Sequence, residues 1–167
     1  TTLVACAHSV PAPEAQPEPP LELDLLTYNV WMLPGVSRDM AVRADAIPTF
    51  VDAADYDALV LTEAFAEAPR DVLVRAFEAR GYHHAEVLGA EAPSHCRSQF
   101  GPIEIATSMT LNGGVLLFSR YPIEAADERL FGDLCAGEDC CSAKGVSYIR
   151  FRKEGACVHL FGTHLQN

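Results

Sequence analysis

The sequence predicts an α+β domain, and three features predict it. Two apolar runs, "LDLLTYNV" and "DALVLTEAF", read as strands buried in a sheet. Each is followed by a stretch of helical periodicity, and residues 144–167 read as a β-hairpin of two alternating runs.

In the first strand, over residues 22–30, Leu21, Leu23 and Leu25 alternate before apolar and aromatic residues take over, and Pro34 and Gly35 end the run. Over residues 39–54 the spacing of Ile47, Phe50, Val51 and Ala54 predicts a helix. Pro48 lacks an amide donor, so it belongs in a first turn or at a kink. The second strand ends at Glu63. "PRDVLVRAFEARGY" predicts the next helix, with Val72, Leu73, Ala76 and Phe77 inward and Gly81 as its stop. A strand is expected over residues 83–88 and another over 114–119, with a long surface loop between them broken by Pro93, Gly101 and Pro102. "FGDLCAGEDCCSAKG" reads as a second loop, and the closing hairpin turns around Glu154 and Gly155. No internal repeat and no second domain is evident.

A chain of 167 residues with 49% hydrophobic and 21% charged residues suits one globular domain. Against 23 Asp and Glu stand 12 Lys and Arg, a net charge of −11 that repels a phosphate backbone and argues against general nucleic-acid binding. A metal ion can still bring a single phosphate into an acidic cleft.

"TTLVACAHS" sets small and apolar residues before Cys6, which reads as the end of a lipoprotein-type signal with Cys6 as the lipidated residue; an ordinary N-terminal segment is the alternative. Residues 9–20 are a proline-rich tether, so residues 1–20 divide from a domain over 21–167. No apolar run is long enough to span a bilayer. With Cys6 set aside, Cys96, Cys135, Cys140, Cys141 and Cys157 suit disulfides of an exported protein. A zinc site on Cys135, Cys140 and Cys141 lacks the usual two-residue ligand spacing.

Three polar residues end or interrupt apolar strands: Asn29, Glu63 and His164. A buried Glu is costly unless paired or metal-bound, so Glu63 at a strand end points to a cleft or a metal. Taken singly, Asn29 also reads as a turn cap, Glu63 as half of a salt bridge and His164 as a satisfied core histidine. His159 lies five residues before His164, which places it on the opposite face of the same strand.

The motifs "LTYNVWMLPG", "RADAIPTFV" leading to "DALVLTEAF", "NGGVLLFSRYPI", "CAGEDCCSAKGVSY" and "HLFGTHLQN" occur together and in order over residues 21–167. In them the chain resembles the endonuclease/exonuclease/phosphatase superfamily, whose fold is DNase I-like, and within it the bacterial neutral sphingomyelinases. The resemblance implies the N-terminal half of a four-layer α/β/β/α sandwich, with the second sheet largely missing and the inner face of the first open. It implies Mg2+-dependent hydrolysis of sphingomyelin to ceramide and phosphocholine, with Glu63 and Asn29 at the metal, Asn29 and His164 in catalysis, and Asn112 and Lys144 as substrate contacts. The family's water-activating base lies in a Ser-Asp-His motif and further ligands in an Asp-x-Asn pair; neither follows His164 in this sequence. A fragment needing its C-terminal half, inactive by itself, is therefore expected, with a phosphocholine lipid as the substrate of the exported whole.

A nuclease or inositol-phosphate phosphatase on the same fold is the nearest alternative. A catalytically dead surface lipoprotein that binds a headgroup or a protein partner is the other. Phe100, Ile103, Ile105 and Met109 make the loop 99–111 unusually apolar, so it either touches lipid or folds back over the core.

Overall fold

Every residue of β2 (Ala58–Thr62) is buried, and the rest of the architecture follows from covering both its faces. The structure is a computed structural model that describes residues 20–52, 54–90, 111–132, 134 and 141–165. Around β2 run β1 (Leu25–Asn29), α1 (Met40–Asp52), α2 (Glu67–Glu78), β3 (His83–His84), β4 (Leu116–Ser119), β5 (Ala125–Leu130), β6 (Gly145–Lys153) and β7 (Ala156–Thr163). The first sheet has the order β1-β2-β4-β3, with β1 parallel to β2 and β4 antiparallel to both of its neighbours. The second is an antiparallel sheet, β5-β6-β7.

Alternation along β2 sorts its side chains into two cores. Leu59 and Leu61, with Leu116 and Phe118 of β4, pack among Ile47 and Val51 of α1 and Leu73 and Phe77 of α2. Ala58 and Val60, with Val115 and Leu117, pack against Ile149, Phe151 and Leu160 of the second sheet. The described residues thus form three of the expected four layers, α/β/β. The inner face of the first sheet, expected to lie open, is covered by β6 and β7. The hairpin read correctly from the sequence is what covers it, because every second residue of β6 from Gly145 to Phe151 is buried, with Ile149 and Phe151 meeting the first sheet. On its other face the second sheet carries Tyr148, His159 and Phe161, the last 63% exposed.

Two contacts set how the sheets sit on one another. Gly162 of β7 lies so close to the first sheet that a Cβ there would fall 2.5 Å from Leu117 Cδ2 and 3.1 Å from Val60 Cγ1. Only glycine admits that approach without displacement. At the other end, buried Asp57 accepts hydrogen bonds from Lys153 Nζ (2.7 Å), Tyr121 Oη (2.9 Å) and the Asp24 amide (2.8 Å). Burial pushes the Asp57 carboxyl up, but the three donors together hold it below the usual 3.8.

Three elements, α1, β3 and β5, differ from the sequence reading. α1 buries Ala44, Ile47, Pro48 and Val51 and leaves Phe50 68% exposed, since Phe50 falls just outside the arc those four define; Ala54 lies past the helix end. Pro48 stands inside α1 rather than in its first turn. β3 has only two paired residues, although Ala85 and Leu88 still donate amide hydrogen bonds to Leu117 and Val115. β5 replaces an expected connection: "AADERL" is largely exposed at a sheet edge and shows no apolar alternation.

Candidate active site

Parallel pairing of β1 with β2 places Asn29 opposite Thr62, so the two chains leave the sheet side by side at its C-terminal edge. They stay bonded beyond the strands: Val30 donates to Thr62 O (2.9 Å), Met32 to Glu63 O (2.9 Å) and Ala66 to Met32 O (3.0 Å). Glu63 sits at φ 59°, a left-handed conformation uncommon outside glycine. The bond from Met32 on one side and that from the Ala64 amide to Gly114 O (2.9 Å) on the other hold it there.

Asn29 Nδ2 donates to Glu63 Oε1 (2.7 Å), while Asn29 Oδ1 accepts from the Trp31 amide (2.8 Å). His164, directly after β7, brings Nε2 to 3.9 Å from the same Glu63 Oε1. Three strands from two sheets therefore bring the three polar residues singled out in the sequence to one place. The glycine at 162, two residues before His164, allows the sheets to come close enough for that distance.

Asn112 lies beside this cluster as a brace. Its Nδ2 donates to Phe65 O (3.0 Å) and its Oδ1 accepts from the Gly114 amide (2.8 Å), which pins the segment after Glu63. Arg70 Nη1 donates to the same Phe65 carbonyl (3.0 Å). Lys144, 7% exposed, leads into β6 at the end where β7 delivers His164: Thr163 Oγ1 donates to Gly145 O (2.8 Å). His159 faces the other way, as its spacing predicted, with Nδ1 2.9 Å from Tyr148 Oη. Cys141 is disulfide-bonded and Cys157 is a free, exposed thiol. Cys6, Cys96, Cys135, Cys140 and the apolar loop residues Phe100, Ile103, Ile105 and Met109 lie outside the described residues.

The sequence reading passed over one more pair at the site. Arg43 of α1 donates from Nη2 to Trp31 O and stacks its guanidinium 4.9 Å from the centroid of the Trp31 ring. An exposed Trp two residues after Asn29 was the available signal. Among the described residues no three His, Cys, Asp or Glu side chains group as a metal site. What the cluster offers a hard cation is the Glu63 carboxylate, which among the described residues accepts the Asn29 bond at Oε1 and has no hydrogen bond at Oε2. That suits an ion that retains its waters and takes one or two carboxylates plus substrate phosphate, as Mg2+ does.

Residues 26–154 match the Endonuclease/Exonuclease/phosphatase family, and the chain belongs to it. Its similarities lie with sphingomyelinases. It is 29% identical over 88% of its length to Sphingomyelinase C 2 of Leptospira interrogans, and 32% identical over 86% to Sphingomyelinase C of Bacillus cereus. A beta toxin variant of Staphylococcus aureus, solved with bound magnesium ions, superposes on 86% of the chain with a TM-score of 0.69 at 31% identity. The chain spans 24% and 43% of the length of those two curated relatives and 49% of the beta toxin chain.

Proposed function

We propose that this chain is the N-terminal catalytic part of an exported Mg2+-dependent phosphodiesterase that hydrolyses sphingomyelin to ceramide and phosphocholine. The convergence of Asn29, Glu63 and His164 at the strand ends carries the reading. Similarity to sphingomyelinases along 86–88% of the chain supports the substrate.

Glu63 would hold the metal through its carboxylate, whose Oε1 is oriented by the bond from Asn29 Nδ2. A divalent cation bound there would supply charge neutralisation at the phosphoryl oxygens. His164, whose Nε2 lies 3.9 Å from Glu63 Oε1, would protonate the departing ceramide oxygen. Asn112 keeps the Glu63 segment in register, and Lys144 would add positive charge toward the substrate. The chain spans 24% and 43% of those relatives, and the base for the attacking water would come from the part of the protein that matches the rest of their length. Lipidation at Cys6 would hold the domain at a membrane carrying its substrate.

Phosphocholine release from sphingomyelin vesicles tests this in the protein extended through its Asp-x-Asn and Ser-Asp-His motifs. Glu63→Gln and His164→Ala should each lower kcat/KM by about 100-fold or more without loss of folding. Turnover within about threefold of wild type by either variant rejects the assignments. The 167-residue chain alone is expected to release no phosphocholine.

A further inference from the structure

We infer that Arg43 is a positioning residue for Glu63, acting through Trp31 and Asn29. The inference rests on the metal-binding role proposed for Glu63 only in its last step. Trp31 stands at φ 48°, a conformation that a bulky side chain rarely adopts, so its peptide has to be held from outside. Arg43 supplies the hold twice over, by its bond to the Trp31 carbonyl and by stacking on the indole. Among the described residues the guanidinium has no carboxylate partner and its Nε no hydrogen bond, so its interactions are given over to Trp31.

The kink carries information. It aims the Trp31 amide at Asn29 Oδ1, and a side-chain amide with its oxygen so tied must present its NH2 elsewhere. That end meets Glu63 Oε1. Three contacts thus run from a helix to the carboxylate: Arg43 to Trp31, Trp31 to Asn29, Asn29 to Glu63. Without Arg43 the Trp31 peptide relaxes toward ordinary φ, the Asn29 amide is free to turn, and Glu63 loses its fixed orientation. Groups that orient a metal-binding side chain in this way typically change metal affinity by about 10- to 100-fold.

Trp31 is the only tryptophan of the chain, so its fluorescence reports on this site alone. The test compares wild type, Arg43→Met and Arg43→Lys by hydrogen exchange at the Trp31 amide, by titration of Trp31 fluorescence with MgCl2, and by thermal unfolding. Arg43→Met should speed Trp31 amide exchange and raise the half-saturating Mg2+ concentration, each by about tenfold, with Tm nearly unchanged. Arg43→Lys, which keeps the cation over the indole but not the guanidinium fork, should recover part of both. Wild-type exchange at Trp31 in Arg43→Met overturns the inference, and so do changes that merely track a fall in Tm. A wild-type protein whose fluorescence ignores Mg2+ defeats the metal reading of Glu63 instead, and the amide exchange then decides on Arg43 by itself.

Discussion

β2 carries a carboxylate at each end, and the fold treats the two in opposite ways. Asp57, just before the strand, has three donors from three separate segments and lies 7% exposed. Glu63, just after it and about 20 Å away along an extended chain, has among the described residues one side-chain hydrogen bond, with a strained φ and a histidine at 3.9 Å. A carboxylate whose acceptor sites are filled can only hold things together; one left partly open, against the usual economy of burial, is available for a ligand. The fully buried strand between them keeps the two apart, so one end fixes how the sheets stack while the other uses the stacking.

The largest change expected within this comparison is at the filled end. Asp57→Asn leaves Lys153 without its partner anion and should lower Tm by about 5–10 °C. The Mg2+ response of Trp31 fluorescence should stay near wild type, since the lesion lies at the far end of a rigid strand. A midpoint for Mg2+ that shifts in step with Tm would show that the ends are not separable. Gly162→Ala comes next and acts in the reverse sense. Its Cβ would press on fully buried Leu117, forcing β7 outward at a cost of about 1 kcal/mol or more in urea unfolding. Because His164 follows two residues later, activity in the extended protein should fall further than the stability loss accounts for.

How much of this was legible in the sequence depended on whether a feature was local. β2 and the closing hairpin could be read because burial on both faces and burial on one leave different patterns, a continuous apolar run and an alternating one. Asn29, Glu63 and His164 stood out because a polar residue closing such a run breaks the pattern. β5 could not be read, since an exposed edge strand has no apolar face to periodise. Nor could the covering of the first sheet, which depends on where β6 lands rather than on what it is. Arg43 and Trp31 are separated by 12 positions with no pattern linking them, and only the fold brings a helix face over the loop after β1.

Acidity offers a finer probe of the filled end. The Asp57 carboxyl is held below its ordinary value, so the stability it contributes is present above about pH 4 and is lost as pH falls through the lower, folded value. The Lys153 ammonium is raised above its usual 10.5, chiefly by its bond to Asp57, and the Tyr121 hydroxyl above 10.0, chiefly by burial. Their contributions are present below those ordinary values and are lost as pH rises through the raised ones. Urea midpoints should therefore hold level between about pH 4 and pH 10 and decline on both sides. Asp57→Asn should flatten the acid decline; an undiminished decline in that variant would assign it to other carboxylates.

The smallest effect belongs to a residue at neither end. Phe50 points to solvent from α1, 68% exposed, although its type and spacing suggest a core position. If the packing of α1 rests on Ala44, Ile47, Pro48 and Val51, then Phe50→Ser removes little buried area and should change unfolding free energy by less than about 0.5 kcal/mol. It should also leave the Arg43 contact and the Mg2+ midpoint untouched, since Phe50 and Arg43 lie seven residues apart on the helix, and only Arg43 reaches the loop. A loss of 2 kcal/mol or so, the size expected for a buried aromatic or more, would mean that α1 is rotated from the position described and that the Arg43 contact must be redrawn with it.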